Sequence, residues 1–545
     1  MAAAVLAVVA MTASSCGGSG GDSGESADAP TPTPSASGLP AMAGPADDAG
    51  PPTAGGTLVM GLEAAPGALN PSGVLNLSGQ MISSAVYDSL AVVNAAGVVE
   101  PYLAESIEPN DELTEWTIVL RDGVEFHNGD LLDAEALKIN MDYWTSSIAT
   151  KGGLAPIESY EVVDDLVLKV AMNRPWATFA YRLSTQTGYV AAPSYLDEIV
   201  TVAPSLEAIG TGPYQYSDDE PGASYSVKRN DSYWNTELPH LDAIRFDFVP
   251  DPLERFSRLN AGDLDLISGY EPGLVDGVRA KAAEGSLKVV ENGTGEEDVV
   301  AINTEKAPFD DLLARQALAH ATDAAAWRAV AEPAGAGDVR GPFAPGQLGF
   351  SDDDAFPAFD LERAKEEAAA YEAKTGEPIT TELLTTDLLI DQQLADLLVA
   401  QWAAAGITAT IRRVPSASLI VDAVTGNFQL VTWRNFGSID PDADYLWWHS
   451  SGVVPQPSVS TNIARYSSEA IDVALDEARG SSDPDVRDAG YQVVADELND
   501  GVAQVWLGRP TWVLAANPRV QGLAAGQVTM ATQGSKPWLA QLWLS

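Results

Sequence analysis

Cysteine is all but missing from this 545-residue chain: Cys16 stands alone, so no disulfide can close within the chain and no cysteine-based zinc or iron–sulfur site can be built. Histidine is nearly as scarce. His127, His240, His320 and His449 lie far apart with no His-Glu-x-x-His spacing, so the signature of a zinc hydrolase is absent. Basic residues are short as well, 30 Lys plus Arg against 77 Asp plus Glu, giving a formal charge of −47. Such a surface repels phosphate backbones and anionic lipid, which argues against nucleic acid as a partner and for a solvated acidic exterior. Gly210-Thr211-Gly212 and Gly293-Thr294-Gly295 lack the third glycine of a dinucleotide loop, and no Gly-Lys-Ser/Thr phosphate loop occurs. Neighbouring carboxylates such as Asp164-Asp165 and Asp352-Asp353 fall in turn-like stretches where they are solvated. With no Gly-x-Ser-x-Gly elbow in the body of the chain, no residue is singled out as catalytic, and no metal or cofactor is implied.

What is present is a globular composition, 46% hydrophobic, in a chain long enough for about three domains of roughly 150 residues. The single cysteine is explained by its position. Met1 to Met11 is apolar, too short for the ~20 residues of a bilayer-spanning helix but suited to the core of a signal peptide. Ala13-Ser14-Ser15-Cys16 then resembles a bacterial lipobox. Residues 1–15 are therefore expected to be a signal peptide and Cys16 the lipidated residue. Residues 16–55 are rich in Gly, Ser, Pro, Ala and Asp, with too little apolar surface to offset ordering, and are expected to form a flexible tether. No later run approaches the ~18 apolar residues of a membrane helix.

The body from residue 56 alternates strands and helices without a repeat. Thr57–Leu62 reads as a strand, and Gln80–Leu90 as an amphipathic helix from its apolar spacing of three and four. Trp116, Ile118 and Leu120 alternate with Glu115, Thr117 and Val119, and Arg121-Asp122-Gly123 turns this strand into Val124–Phe126, predicting a hairpin. Asp133 is placed to cap a helix bearing Leu137, Met141 and Trp144. A second hairpin is expected around Asp164-Asp165, and strands around Tyr225–Lys228 and Ile244–Phe248. Asp310 is a candidate cap for a helix from Leu312, and further helices are expected over Phe359–Ala373, Leu389–Ala405 and Leu419–Gly426. The result is a mixed α/β body.

Polar and aromatic residues are densest from Trp433 to Asp442, followed by Tyr445, Trp447 and Trp448. A strand ending in Trp433-Arg434-Asn435 sets a flat apolar face beside donors and acceptors, as in a small-molecule cleft. The alternative is that the tryptophans are core and Asp440-Pro441-Asp442 is a plain turn; the residues alone leave both open.

The order of motifs along the chain resembles the family 5 extracellular solute-binding proteins, the dipeptide- and oligopeptide-binding components of ABC importers. The resemblance runs through Leu69-Asn70-Pro71, Tyr87-Asp88-Ser89-Leu90, Pro101–Ser106, Leu120–Gly129, Gly210–Tyr214, Arg229–Trp234, Ala261–Asp265 and Pro308–Asp311 with Arg315–Leu318. It implies a two-lobed periplasmic-binding-protein-like fold, type II, of the large three-domain kind, with a hinge between lobes. By that resemblance lobe I comprises 56–92, 209–295 and 509–545, an inserted subdomain 93–208, and lobe II 296–508. Ligand would contact Asn76, Leu77 and Ser78 from lobe I and Trp433, Arg434, Asn435, Phe436 and Asp440 from lobe II. Peptide-binding members place an aspartate about three residues past the tryptophan to meet the ligand ammonium; here that position holds Phe436 or Asn435, both uncharged. Asp440 is the candidate replacement, with an Asp-Pro turn as its alternative, and Arg434 either pairs a ligand carboxylate or bridges the lobes. The implied partners are a peptide, or an oligosaccharide, opine or metal chelate, and the permease subunits of an importer. The membrane is reached only through the lipid on Cys16, and the chain is expected to be a monomer. A surface sensor and a secreted hydrolase are the remaining alternatives.

Overall fold

The computed structural model describes residues 50–545 except 72–76, 95–96, 148–149, 202–204, 294–295, 334–336, 353–355, 436, 456–458, 524–526 and 529–535. The expected signal peptide, Cys16, most of the tether, Asn76 and Phe436 therefore lie outside the described residues.

Three sheets organise the rest. A seven-stranded sheet has the order Lys288–Gly293, Thr511–Ala516, Leu266–Gly269, Thr57–Leu62, Ala243–Phe248, Ser224–Arg229, Tyr214–Glu220. Thr57–Leu62 pairs in parallel with both its neighbours, and the flanks are antiparallel. Leu58, Met60, Ile244, Phe246 and Leu266 are fully buried on this sheet. A five-stranded sheet has the order Thr408–Val414, Thr380–Thr386, Leu430–Asn435, Glu297–Ile302, Gln504–Gly508, parallel across its first three strands. The chain passes between these sheets twice, from Gly293 to Glu297 and from Gly508 to Thr511. The passages lie near one another, because Gly293 pairs with Thr511 and Asp298 with Gly508. Ala104–Pro109, Glu115–Leu120, Val167–Met172 and Ile157–Asp164 form a separate antiparallel sheet of four strands.

Several local expectations hold. Trp116, Ile118 and Leu120 are wholly buried along one face of their strand, the Asp164-Asp165 hairpin forms, and Asp133 Oδ1 accepts from Ala136 N–H at 2.8 Å. Others need correction. Val124–Phe126 is no strand: only Glu125 makes a bridge, to Leu131, and Glu115–Leu120 pairs instead with Ala104–Pro109 and Val167–Met172. Tight turns decide this. Gly123 and Gly129 both take positive φ, and the backbone groups of Val124 and Phe126 are used within the turn, by Leu132 and by Gly129 and Asp130. The helix expected over Gln80–Leu90 spans Leu77–Val86 and is buried on every side, so it is a core helix and not an amphipathic one. It ends early because the following backbone is used in cross-links, Ser89 bridging Tyr189 and Asp88 C=O accepting from Val190 N–H. The cap of Leu312–Ala321 is Asp311, the residue adjoining the helix, whose side chain accepts from Leu313 N–H. The later helices lie at Leu361–Thr375, Leu389–Ala404 and Ser416–Val424.

Four of the motif segments that carry the family resemblance, those holding Asp88, His127, Thr211 and Tyr233-Trp234, converge on one buried polar knot. The Asp88 carboxylate accepts from Trp234 Nε1 at 2.9 Å, Tyr233 Oη at 3.0 Å and Thr211 Oγ1 at 3.4 Å. Burial outweighs these three donors and pushes its pKa up to about 7. His127 holds the same loop from the other side: its Nδ1 accepts from Gly210 N–H and its Nε2 faces Gly212 C=O at 3.0 Å. With the Gly210 amide fixing Nδ1 as acceptor, the ring is the neutral Nε2–H tautomer, and burial lowers its pKa to about 4.

Candidate ligand cleft

In open α/β sheets, ligands bind outside the carboxyl ends of parallel strands, where successive connections diverge. The residues just past the strands of the seven-stranded sheet are Glu63, after Thr57–Leu62, and Tyr270-Glu271, after Leu266–Gly269. From the five-stranded sheet come Arg434 and Asn435, at the end of Leu430–Asn435, with Glu297 and Asp298 beside them in the ladder. The two edges meet. The Arg434 guanidinium lies 4.3 Å from the ring centroid of Tyr270, a cation–π contact from one sheet to the other. The same guanidinium grips Asp298 with two parallel bonds, Nε to Oδ1 at 2.7 Å and Nη2 to Oδ2 at 3.0 Å. Tyr270 in turn packs on Trp512, ring centroids 4.6 Å apart, and Trp512 Nε1 donates to Glu296 Oε2 at 3.0 Å.

Carboxylates outnumber their counter-ions here. Burial pushes Glu63 above the usual range, with Arg255 and Arg434 pulling against it. Burial lifts Glu297 to about 8 despite Arg509 at 3.1 Å. Burial, then the charge of Asp298, lifts Glu332 to about 7. Burial and then Glu297 raise Asp444 well above a carboxylate's ordinary value. On the basic side, Lys536 is fully buried, donates to Gln80 Oε1, and is lowered by burial to about 7 against the pull of Glu296. A ligand ammonium brought to these acids would restore their charge, and a ligand carboxylate would do the same for Lys536.

The residues expected to contact ligand are distributed as follows. Leu77 and Ser78 open the buried helix, and Ser78 Oγ accepts from Ala64 N–H at 3.2 Å, tying that helix to the segment after Glu63. Arg434 lies at the meeting of the sheets, and Asn435 stands opposite Glu297. Trp433 alternates to the other face of its strand and packs on the core of the five-stranded sheet. Asp440 is only 1% exposed; its Oδ1 accepts from Arg487 Nη2 at 2.5 Å and from Asp442 N–H at 3.0 Å. Asp440 thus already has a cation of the chain's own. Glu63, Tyr270, Asp298 and Trp512 were missed by sequence reasoning; Glu63 was findable, lying one residue past an expected strand, whereas Asp298 and Trp512 are brought in by pairing between distant strands.

Residues 98–455 match the family described as bacterial extracellular solute-binding proteins, family 5. The chain belongs to that family. Heme-binding protein A of Haemophilus influenzae is 26% identical over 455 residues, covering 78% of this chain and 81% of that protein. Among solved structures, the periplasmic binding protein DppA from Helicobacter pylori in complex with peptide STSA superposes with a TM-score of 0.79 at 21% identity, covering 90% and 98% of the two chains. AgaA from A. tumefaciens R10 in complex with agropinic acid gives a TM-score of 0.79 at 24% identity, covering 90% and 99%. The fold of this family 5 protein is the two-lobed, type II periplasmic-binding-protein-like fold, and its function is that of an extracytoplasmic solute-binding component of an ABC importer. The family is a non-catalytic transport family. Among the described residues no helix is long and apolar enough to cross a membrane.

Proposed function

We propose that this protein captures peptides between its two lobes and delivers them to a membrane permease, without turning them over. The observation that carries this reading is the Arg434 crossing. A cation paired to Asp298 and stacked on Tyr270 of the opposite sheet offers a zwitterionic ligand both halves of a charge pair, Arg434 for its carboxylate and Asp298 or Glu63 for its ammonium. Such a ligand touches both sheets only when they are together, so it favours the closed state by differential affinity. Peptides are named as ligands of several relatives. The uncharged Asn435 and Phe436, where peptide binders carry an aspartate, favour as a second reading an acidic solute of the opine class, of which AgaA holds an example.

In this reading lobe I is 56–92, 209–295 and 509–545, the inserted subdomain 93–208 and lobe II 296–508, a division supported by the strand membership of the three sheets. Cys16 carries the lipid that holds a monomeric protein near its permease, raising their effective concentration. The test is a thermal-shift screen of di- to octapeptides, opines and oligosaccharides. A ligand at a hundred times its Kd adds about 2.7 kcal/mol to the native state and raises the Tm visibly. A shift with peptides that Arg434→Met abolishes supports the reading. A shift with opines alone replaces the cargo, and a bound peptide recovered as its hydrolysis products overturns capture without turnover. Mass spectrometry of the mature N-terminus, showing an unmodified Cys16, would remove the anchor.

A further inference from the structure

A second carboxylate of the Asp-Pro-Asp segment reaches out of its own sheet's territory altogether. Asp442 Oδ2 accepts from Trp176 Nε1 at 2.9 Å and from Thr178 Oγ1 at 2.6 Å, residues that follow the four-stranded sheet and are 266 and 264 positions away in sequence. Its other oxygen accepts from Arg479 Nε at 2.7 Å. Backbone bonds run alongside: Ala177 N–H donates to Arg479 C=O at 2.8 Å, and Ile439 N–H donates to Tyr181 Oη at 3.2 Å. The Arg479 guanidinium also lies over the Trp176 ring, 5.1 Å from its centroid. All of this is dry, with Asp442 5% and Arg479 3% exposed and Trp176 sealed.

We infer that Asp442, Arg479, Trp176 and Thr178 form a clasp that joins the subdomain to lobe II and populates the closed protein before any cargo binds. The inference rests on the two-lobed capture proposed above and adds its regulation. Every bond of the clasp is made by the chain itself and none lies at the Arg434 crossing, so closure gains contacts that need no ligand. All three side-chain donors meet one ionised carboxylate in a buried interface, where charge-assisted bonds are strongest. A protein whose closed form is already populated loses less affinity to the cost of reaching it, because apparent Kd scales inversely with the competent fraction. Removing the clasp therefore weakens cargo binding without touching the cleft.

The experiment is single-molecule energy transfer on the full chain carrying Cys16→Ser, with dyes on Glu161→Cys in the subdomain and Asp485→Cys in lobe II, both exposed positions. Without cargo, the parent protein gives one high-transfer population. Asp442→Asn lowers the closed-to-open ratio at least tenfold, and Thr178→Val, which deletes one donor without stranding a charge, lowers it several-fold. Circular dichroism identifies a variant that has failed to fold, and Thr178→Val carries the test if Asp442→Asn has. The clasp is overturned if the cargo-free parent is open, or if a folded Asp442→Asn and Thr178→Val both leave the ratio within twofold. Adding a pool of di- to octapeptides separates the two readings. An open parent that peptides close refutes the clasp and keeps capture, whereas a parent closed throughout, with the same variants opening it and no peptide bound, keeps the clasp and refutes peptide capture.

Discussion

Replacing Arg487 by methionine tests whether Asp440 is a structural counter-ion or a group free to meet ligand. Arg487 projects from the helix Pro484–Asp500 and is 3% exposed; its Nη2 supplies the one cation bonded to Asp440 among the described residues. Methionine keeps the apolar stem and deletes the charge. Asp440 would retain the Asp442 amide at 3.0 Å, while its Oδ2, which already has no hydrogen-bond partner among the described residues, would gain nothing. A buried carboxylate stripped of its cation in this way costs about 3–5 kcal/mol. Equilibrium urea unfolding of the full chain reads that loss as a lower midpoint at unchanged m-value. The double variant Arg487→Met/Asp440→Asn, which removes both charges, recovers at least half of it. A single-variant loss below about 1 kcal/mol would refute the reasoning, since it would mean that Asp440 is served by solvent and remains available to a ligand ammonium.

Arg434→Met leaves the fold intact and raises the Kd for the cargo about 10- to 100-fold in titration calorimetry, the loss of charge-assisted bonds worth roughly 1.5–3 kcal/mol; an unchanged Kd removes Arg434 from the cleft. His127 contributes to acid lability: its folded pKa of about 4 lies below the unfolded ~6.5, so the stability of its neutral form is complete above ~6.5 and is lost as pH falls toward 4, about 3 kcal/mol in all. Melting curves of His127→Gln against the parent should therefore converge as pH drops from 6.5 to 4, and parallel curves would contradict the neutral assignment. Gly212→Ala places a Cβ 2.5 Å from Val86 C and O, both backbone, and should lower the Tm by several degrees in calorimetry, with no change as the opposing result.

Much of the fold was legible because its signals are local. Alternation at Trp116, Ile118 and Leu120, the cap at Asp133 and the turn at Asp164-Asp165 depend on a few neighbouring residues, and each was found where expected. The hairpin into Val124–Phe126 failed because the turns at Gly123 and Gly129 use the backbone groups of Val124 and Phe126 locally, while the strand's partners, Ala104–Pro109 and Val167–Met172, are set by topology. The fully buried Leu77–Val86 helix was misread for a related reason, since a helix packed on all sides carries no amphipathic stripe to mark its ends. In the cleft, Arg434 was visible as one of the donors in a strand ending in Trp433-Arg434-Asn435. Its partners were not, because Asp298 and Tyr270 lie 136 and 164 positions away and reach it by strand pairing and by contact between sheets.

The Asp440-Pro441-Asp442 segment is the clearest case of a short motif whose purpose lies in what it connects. As a turn it needs one carboxylate at most, the cap that Asp440 supplies to the short helix Pro441–Asp444. Here the two aspartates are divided: Asp440 is neutralised by Arg487, and Asp442 by Arg479 together with donors from Trp176 and Thr178. The proline and the cap hold these carboxylates at a set separation, so the segment cannot shift one without the other. Six residues upstream of Asp440 on the same stretch of chain is Arg434, at the opposite sheet's edge. Because apparent Kd scales inversely with the closed fraction, substitutions at Asp442 should raise the apparent Kd for cargo by the factor by which they lower that fraction.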